Sequence, residues 1–421
     1  MSIRTQPIVF LLAAAGGSVC AQDWPQWRGP AADGVAPQQE VPQHWDRDTN
    51  VKWRTPLAHA GNGSPIVSRG RVFVTMPEDD EGKGRSLYCF DRKTGEQQWV
   101  RTVRFEEAMP THETNPHCST TPASDGERVV VWHASAGLFC YDHGGELLWQ
   151  RDLGEFRHQW GHGTSPILHD GKVLLHTGPG QQSFVAAFDL EDGATAWRTD
   201  EPSQLTPEQV EKKRLAGSWC TPIVRSVGDR DLVLCGQPTR VVAYDVADGG
   251  IVWWCSGVSS SRGDLTYSSP VVTDAVCMIV GGWVGPSLGV RIDGEGDVTE
   301  SHRVWHQPET ITNCASGVHV DGAIYIPDMR SIVSCVDAAS GETLWRARVG
   351  RGNTWGSFVH ADGKLFLTNQ SGTTRVLEPN RERKVVLAEN KLKEQTNATP
   401  AISEGEIFLR TFDALYCIAM P

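Results

Sequence analysis

One thirteen-residue stretch, from Leu87 to Trp99, recurs along this chain of 421 residues. It reads L-Y-C-F-D-R-K-T-G-E-Q-Q-W, with Asp91, Gly95 and Trp99 four positions apart. An internal repeat constrains the fold strongly, because every copy must form the same small structure and pack against its neighbours. The five further copies, of which the fourth is one residue shorter and the fifth degraded, are Asp189, Gly193, Trp197; Asp245, Gly249, Trp253; Asp337, Gly341, Trp345; Asp142, Gly145, Trp149; and Asp293, Gly296, Trp305.

Each copy predicts a β-hairpin. The apolar runs before the aspartates, such as residues 87–90 and 138–141, are rich in aromatic and aliphatic residues and are typical of short strands. The Asp side chain can accept hydrogen bonds from backbone N–H groups further along the turn, and Gly supplies a positive φ. Gly and Asp within the unit disfavour a helix. The Trp then lies on the returning strand, where its ring packs against the next repeat and its N–H reaches a carbonyl.

A serine or threonine opens a short strand ahead of each hairpin. Proline follows this residue in six copies and is tolerated there, because its missing N–H breaks no ladder bond at the first residue of a strand. The eight openers stand 41 to 57 residues apart and are Ser64, Thr121, Ser165, Thr221, Ser269, Ser316, Ser357 and Thr399. Each repeat is therefore four strands, and repeats of this kind close radially into a propeller.

The two ends of the repeat region complement each other. Residues 50–57 match the returning strand of a repeat, with Trp53 in the Trp position, but lack a hairpin partner upstream. Residues 399–420 supply three strands and no returning one. We therefore predict an all-β fold over residues 51–421, an eight-bladed β-propeller of four-stranded antiparallel blades whose last blade is closed by the N-terminal strand.

The first 21 residues are predicted to be a signal peptide. Arg4 supplies the positive charge, residues 8–15 the apolar stretch and residues 19–21 a small-residue cleavage site. A lipid anchor at Cys20 is the alternative, although Gly17 stands where Leu is usual. Residues 22–50 form a polar N-terminal arm. No later apolar run is long enough for a transmembrane segment, so we expect an exported protein, periplasmic or extracellular, and a monomer.

Composition narrows the classes of partner. The formal net charge is −12 and no Lys/Arg cluster occurs, so the sequence lacks the basic surface that nucleic-acid binding requires. Four of the eleven cysteines, Cys89, Cys140, Cys335 and Cys417, fall at the same strand position and predict a packing slot for a small apolar residue. Cys118, Cys220 and Cys314 precede openers. We predict no disulfide framework, and one disulfide bond remains as an alternative.

The L-Y-x-x-D-x-x-x-G-x-x-x-W unit, in an eight-bladed ring closed by an N-terminal strand, resembles the PQQ-like (quinoprotein) propeller repeat over residues 51–421. The resemblance implies the fold. For function it implies either PQQ-dependent alcohol or sugar dehydrogenases or cofactor-free exported scaffolds of the BamB type. In the dehydrogenases it implies a vicinal Cys-Cys pair, a Trp floor and Ca²⁺ beside a catalytic Asp. This sequence has neither an adjacent Cys pair nor a C-x-x-C-H haem motif.

We therefore expect a non-catalytic propeller without a cofactor, and PQQ with calcium remains the alternative. The segments that connect the outer strand of one blade to the inner strand of the next, here called links, converge around the channel of a propeller. Binding residues concentrate in such loops. Candidate ligand-binding residues in these links are His112, Glu113, His117, His158, Trp160, His162, Trp219, Tyr267, Asn313, Asn353 and Trp355. We predict that this rim binds a partner protein or a small ligand. The carboxylates nearest to it are Glu113, Glu155 and Asp264.

Two features of the rim leave alternatives open. Four of the candidates are histidines from neighbouring links and could ligate a metal, or each could bond a backbone carbonyl of its own loop. An insertion at residues 201–218 predicts a short helix that begins after Thr206, with Pro207 at its first position and Gln209 three residues after the cap.

Overall fold

The computed structural model describes residues 23–180, 182–201, 215–311 and 314–421. The predicted signal peptide and the predicted helix of the insertion lie outside them. The chain forms eight antiparallel blades around a central channel, and this confirms the predicted propeller. No helix in the described part of the chain is long and apolar enough to cross a membrane.

Blades 1 to 4 follow chain order. Their strands are β2 (Ile66–Ser68), β3 (Arg71–Pro77), β4 (Gly84–Asp91), β5 (Gln97–Arg104); β6 (Ala123–Ser124), β7 (Arg128–Trp132), β8 (Leu138–Asp142), β9 (Leu147–Arg151); β10 (Ile167–His169), β11 (Lys172–His176), β12 (Phe184–Asp189), β13 (Thr195–Asp200); and β15 (Ile223–Val227), β16 (Arg230–Gly236), β17 (Arg240–Asp245), β18 (Ile251–Ser256). A 3-10 turn, Ala134–Ala136, connects β7 to β8.

Blades 5 to 8 continue the ring. Their strands are β20 (Val271–Val272), β21 (Val276–Val280), β22 (Gly285–Arg291), β24 (Arg303–Ile311); β25 (Val318–Val320), β26 (Ala323–Pro327), β27 (Ile332–Asp337), β28 (Thr343–Arg348); β29 (Val359–Ala361), β30 (Lys364–Thr368), β31 (Thr373–Leu377), β32 (Val386–Lys391); and β33 (Ala401–Ser403), β34 (Glu406–Arg410), β35 (Ala414–Ile418) with β1 (Val51–Pro56). Outside the blades, β14 (Ala216–Ser218) pairs in parallel with β19 (Asp264–Thr266).

The repeated hairpin has the structure that its sequence predicts. In blade 1, Asp91 Oδ1 accepts hydrogen bonds from the backbone N–H groups of Lys93 at 2.8 Å and Thr94 at 2.9 Å. Gly95 has a φ of +73°, and a Cβ there would lie 2.6 Å from the Trp53 ring of the preceding blade. The glycine is therefore required twice, for the left-handed backbone conformation and for the close approach of the tryptophan.

The returning-strand tryptophans join neighbouring blades. Each indole N–H donates to the carbonyl just beyond the hairpin strand of the next blade, as predicted. The seven pairs, each written as donor and then acceptor, are Trp53 and Arg92, Trp99 and His143, Trp149 and Leu190, Trp197 and Val246, Trp253 and Ile292, Trp305 and Ala338, and Trp345 and Asn380. Blade 7 has Ala388 in this position, and Trp45 of the arm belongs to the same core cluster.

The N-terminal strand closes the ring. β1 pairs with β35 in antiparallel register, with Trp53 opposite Cys417 and Thr55 opposite Leu415. Buried Arg92 of blade 1 forms ion pairs of 2.7 Å with Glu404 and 2.8 Å with Glu406 of blade 8. The first and last parts of the repeat region are thus joined by a sheet, by an indole hydrogen bond and by ion pairs.

The degraded repeat departs from the other copies. Trp305 reaches its slot on β24, opposite Gly289, but Gly296 does not form the hairpin turn. Instead Gly296 and Asp297 form β23, which pairs in parallel with β18 and adds a fifth strand to blade 4. The chain between β22 and β24 therefore packs on a neighbouring blade, and this explains the late position of Trp305.

The ten cysteines in the described residues are free thiols. Cys89, Cys140, Cys335 and Cys417 each lie opposite a blade tryptophan in the strand register. All four side chains are fully buried. They occupy the small apolar slot that the repeat predicts, and burial raises the pKa of the Cys89 thiol to about 12.

The N-terminal arm, residues 23–50, crosses the channel and bonds to all eight blades. The bonds, in blade order, are Val67 N–H to Trp24 O, Ser124 N–H to Pro25 O, Leu168 N–H to Gln26 Oε1, Arg225 Nη1 to Ala31 O, Trp27 Nε1 to Ser269 Oγ, Arg28 Nη2 to Gly317 O, Ala36 N–H to His360 O and Gly405 N–H to Gln39 Oε1. Trp24, Arg28 and Trp45 are buried. The arm is therefore part of the folded core.

Candidate functional site

The eight strand openers form a ring around the channel. At seven steps the backbone N–H of one opener donates to the hydroxyl of the next, over 2.9 to 3.0 Å. These pairs are Ser64–Thr121, Thr121–Ser165, Ser165–Thr221, Ser269–Ser316, Ser316–Ser357, Ser357–Thr399 and Thr399–Ser64. At the eighth step the hydroxyl of Ser269 accepts the indole N–H of Trp27 from the arm at 3.1 Å. A backbone donor in the channel wall thus finds its acceptor in the adjacent blade.

The arm closes one end of the channel. It pairs with the inner strands about three residues beyond the openers, for example Trp24 with Val67 and Pro25 with Ser124. The links between blades precede the openers. Along the channel axis the order is therefore the link loops at the mouth, the ring of openers, and the arm at the far end.

A cavity of about 550 Å³ lies between the mouth and the arm. Trp27 of the arm forms its floor. Its lining residues are Trp27, Asn62, His112, Thr114, Asn115, Ser119, Thr121, Trp160, Gly163, Ser165, Trp219, Thr221, Tyr267, Ser269, Trp283, Cys314, Ser316, Met329, Trp355 and Asn397. Of the predicted rim residues, the cavity contains His112, Trp160, Trp219, Tyr267 and Trp355. Its volume is in the range of pockets that hold small molecules.

One wall of the cavity is an aromatic cluster. Trp219 lies 5.7 Å from Trp160 and 5.5 Å from Tyr267 between ring centroids, and Trp160 lies 6.3 Å from Trp283. The Trp219 indole donates to Gly161 O at 2.9 Å, which fixes the ring. Trp283 is 41% exposed. The cluster therefore extends from the interior of the cavity to the protein surface.

A second part of the lining, the amide wall, is a chain of amides that begins beside Trp160. Asn397 Nδ2 donates to Asn62 Oδ1 at 3.0 Å, and Asn62 Nδ2 donates to Asn115 Oδ1 at 3.1 Å. Asn115 Nδ2 donates to the Trp160 carbonyl at 2.7 Å, and Gln370 Nε2 donates to Asn397 Oδ1 at 2.7 Å. These bonds hold the amides in fixed orientations, so the wall presents preorganised polar groups.

The described lining of the cavity contains no Asp, Glu, Lys or Arg side chain. Glu113 and Glu155 are exposed, and Glu155 pairs with Arg157. Asp264 is buried in β19 and does not line the cavity. Calcium requires several oxygen ligands, carboxylates above all, and PQQ carries three carboxylates that need cationic partners. The described residues therefore do not fit PQQ with calcium.

The four candidate histidines are separated by the fold. His112 Nδ1 bonds the Thr114 hydroxyl at 2.8 Å, and His162 Nε2 bonds Phe156 O at 2.9 Å. The His158 ring stacks edge-on to Trp219 at 4.8 Å. His117 lies against Gly82. Within the described ranges, no group of three or more His, Cys, Asp or Glu side chains could hold a metal ion.

Burial explains the electrostatics of these histidines. It lowers the pKa of His158 and of His162 to about 4, and it also lowers the pKa of His117, with nearby Arg85 adding to the effect. Three of the four imidazoles are therefore neutral at pH 7. They pack in the loops around the mouth, and His112 is the one of the four that lines the cavity.

Two of the remaining predicted positions, Glu113 and Asn353, do not line the cavity. Glu113 and Asn353 are exposed, and Asn313 is outside the described residues. Of the three cysteines before openers, Cys314 lines the cavity as a free thiol, and Cys118 and Cys220 are buried free thiols. Burial raises the pKa of Cys314 and of Cys118 to about 12, so neither is a reactive thiolate at neutral pH.

Sequence reasoning missed three groups that build the site. Trp27 and Trp283 lie outside the links, in the arm and in the β21–β22 hairpin. The amides Asn62, Asn115 and Asn397 lie within links but were not singled out. The openers were recognised as strand starts, and their recurrence at one position of every repeat was the signal for a ring.

Comparisons with known proteins agree with this architecture. The family model described as outer membrane protein assembly factor BamB matches residues 43–116, 110–326 and 329–419. BamB of Burkholderia pseudomallei is 24% identical over 311 residues, which cover 71% of this chain and 69% of that protein.

Two solved structures share the fold. The crystal structure of BamB from Moraxella catarrhalis aligns with a TM-score of 0.58 and 15% identity, over 90% of this chain and 99% of that one. A europium-containing methanol dehydrogenase aligns with a TM-score of 0.68 and 11% identity, over 95% and 98%. At such identities the structures show the propeller fold alone, whereas the family model covers nearly the whole repeat region, and on that basis the chain belongs to the BamB family of outer membrane protein assembly factors.

Proposed function

We propose that this protein is an exported, non-catalytic propeller that binds a partner protein of outer membrane assembly at its channel mouth. Membership in the BamB family supports the biological setting. The observation that carries the location is the aromatic cluster at the mouth, because Trp and Tyr dominate the binding energy of protein interfaces.

The tip of the β21–β22 hairpin is the most exposed part of that cluster. Trp283 and Val284 are 41% and 40% exposed, and both have positive φ values, +29° and +58°. A bulky or β-branched residue in this backbone conformation is strained. The turn thus holds an indole at the surface next to Trp160, where a partner can cover it.

Site-specific photo-crosslinking in the native host tests the proposal. A photoreactive amino acid at position 283 should capture an outer membrane protein or a component of its assembly machinery. The matched control is position 148, since Leu148 on β9 is 47% exposed and does not line the cavity. Equal capture from both positions, or no capture from position 283, would contradict the proposal.

A cofactor titration tests the enzymatic alternative. Because the described lining contains no Asp, Glu, Lys or Arg side chain, we expect no saturable binding of PQQ at micromolar concentration in the presence of Ca²⁺. We also expect no dye reduction when alcohols or sugars are added. Saturable PQQ binding with substrate-dependent dye reduction would replace the proposed function with a dehydrogenase.

A further inference from the structure

The channel cavity has a chemical character that points to a particular ligand class. We propose that it binds a neutral saccharide, with sugar rings stacked on the indoles of the mouth and floor. This inference rests on the proposed function, because it concerns the interior of the same site. It adds a small-molecule ligand to the partner protein at the rim.

The shape of the cavity favours a ligand that ends inside it. The arm bonds to every blade and Trp27 forms the floor, so an extended chain cannot pass through the channel. A volume of about 550 Å³ accommodates a small molecule or the terminal units of a longer glycan. Entry is from the mouth, where Trp283 is exposed.

The described lining contains no Lys or Arg side chain, and this disfavours anionic ligands. A carboxylate or phosphate inside the cavity would lose its hydration without gaining a Lys or Arg partner. The protein carries a formal net charge of −12, which adds repulsion against anions. The lining therefore disfavours an anionic ligand, and its hydroxyl and amide groups suit an uncharged one.

The two walls match the two surfaces of a sugar ring. The apolar C–H face of a pyranose packs on indole rings, and Trp27, Trp160 and Trp219 offer such faces from the floor and one side. Sugar hydroxyls need neutral donors and acceptors. The openers supply these groups, since the hydroxyls of Thr121 and Ser165 accept a backbone N–H and keep their own proton to donate. The amide wall adds oxygen acceptors only, because the side-chain N–H groups of Asn62, Asn115 and Asn397 already donate to protein oxygens.

Calorimetric titration of the mature protein with defined sugars tests the inference. The probes are maltose, cellobiose and N,N′-diacetylchitobiose as neutral sugars, digalacturonic acid as a charged one, and the capped peptide acetyl-Ala-Tyr-Ala-amide. We expect saturable binding of at least one neutral sugar, and at least tenfold weaker binding of digalacturonic acid and of the peptide. Absence of binding by all three neutral sugars at millimolar concentration would overturn the inference, and so would preferred binding of the peptide.

Variants place the ligand within the cavity. Trp219→Phe and Trp283→Ala should each weaken sugar binding at least tenfold, whereas Trp254→Ala should not. Trp254 is a half-buried tryptophan on β18, away from the cavity, and serves as the matched control. The exposed position of Trp283 keeps its variant folded. An equal loss in the Trp254 variant would overturn the assignment. Sugar binding without crosslinking from position 283 would contradict the partner proposal alone, and the reverse result would contradict this inference alone.

Discussion

At the scale of single residues, the ring of opener hydroxyls predicts which substitutions the channel tolerates. The hydroxyl of Ser357 accepts the backbone N–H of Ser316 at 2.9 Å, and both residues are buried. Ser357→Ala leaves this N–H without a partner, so the free energy of unfolding should fall by about 1–3 kcal/mol. Ser357→Thr keeps the oxygen, and Thr occupies the same ring position in three other blades.

Chemical denaturation of the two Ser357 variants and the parent protein measures this effect. The threonine variant should retain most of the stability that the alanine variant loses. If the two variants were equally destabilised, the loss would come from altered packing around residue 357, and the hydrogen bond would not be its cause.

At the scale of elements, the arm is predicted to behave as a structural part of the propeller. A chain that begins at Asn50 keeps β1 and all eight blades but loses Trp24, Trp27 and Trp45. Since Trp24 and Trp45 are buried, and truncating one buried tryptophan costs about 3–5 kcal/mol, the loss should be large. We expect a lower melting temperature with an unchanged far-ultraviolet spectrum.

The same deletion should open the channel at both ends. A neutral quencher such as acrylamide should then reach Trp219 more readily than in the intact chain. A deletion variant with the melting temperature of the parent protein and unchanged quenching would show that the arm does not close the channel.

Some elements could be predicted from the sequence and others could not. The hairpin was predictable because Asp91, Gly95 and Trp99 carry their information within thirteen residues and repeat it around the ring. The path of the arm was not predictable, because Trp27 and Ser269 are 242 positions apart and the arm has no repeated pattern. Its role follows from a tertiary contact that no local pattern encodes.

The binding site was predictable in part for a related reason. Trp160, Trp219, Tyr267 and Trp355 lie in links, and the convergence of links is a property of the propeller fold. Whether a given side chain points into the channel depends on local loop conformation, and so Asn353, although it lies in a link, is exposed.

At the scale of the whole molecule, buried histidines make stability depend on pH. His176 is fully buried, with Nδ1 bonded to Cys220 O at 3.0 Å, and burial lowers its pKa to about 4. The unfolded chain therefore binds a proton between about pH 6.5 and 4 that the folded chain does not. The stability contribution is fully present above about pH 6.5 and is lost as the pH falls toward 4, by about 3 kcal/mol for this residue.

Denaturation curves at pH 7 and pH 5 test this dependence. His133, whose pKa burial lowers to about 3, acts in the same direction. We expect the parent protein to be less stable at pH 5, and His176→Gln to reduce the difference between the two pH values. An identical difference in the parent protein and the variant would show that His176 does not contribute to it.

The route of the arm has a consequence for the order of folding. The arm is synthesised before any blade, yet it docks only where all eight blades already meet. β1 likewise waits for β35, the last strand of the ring to be made. The propeller therefore closes only after β35 has been synthesised, and until then the inner strands of early blades and an unpaired sheet edge stay open to other chains. Closure by a segment that precedes every blade makes sealing of the ring the last step of folding, with the highest risk of aggregation just before it.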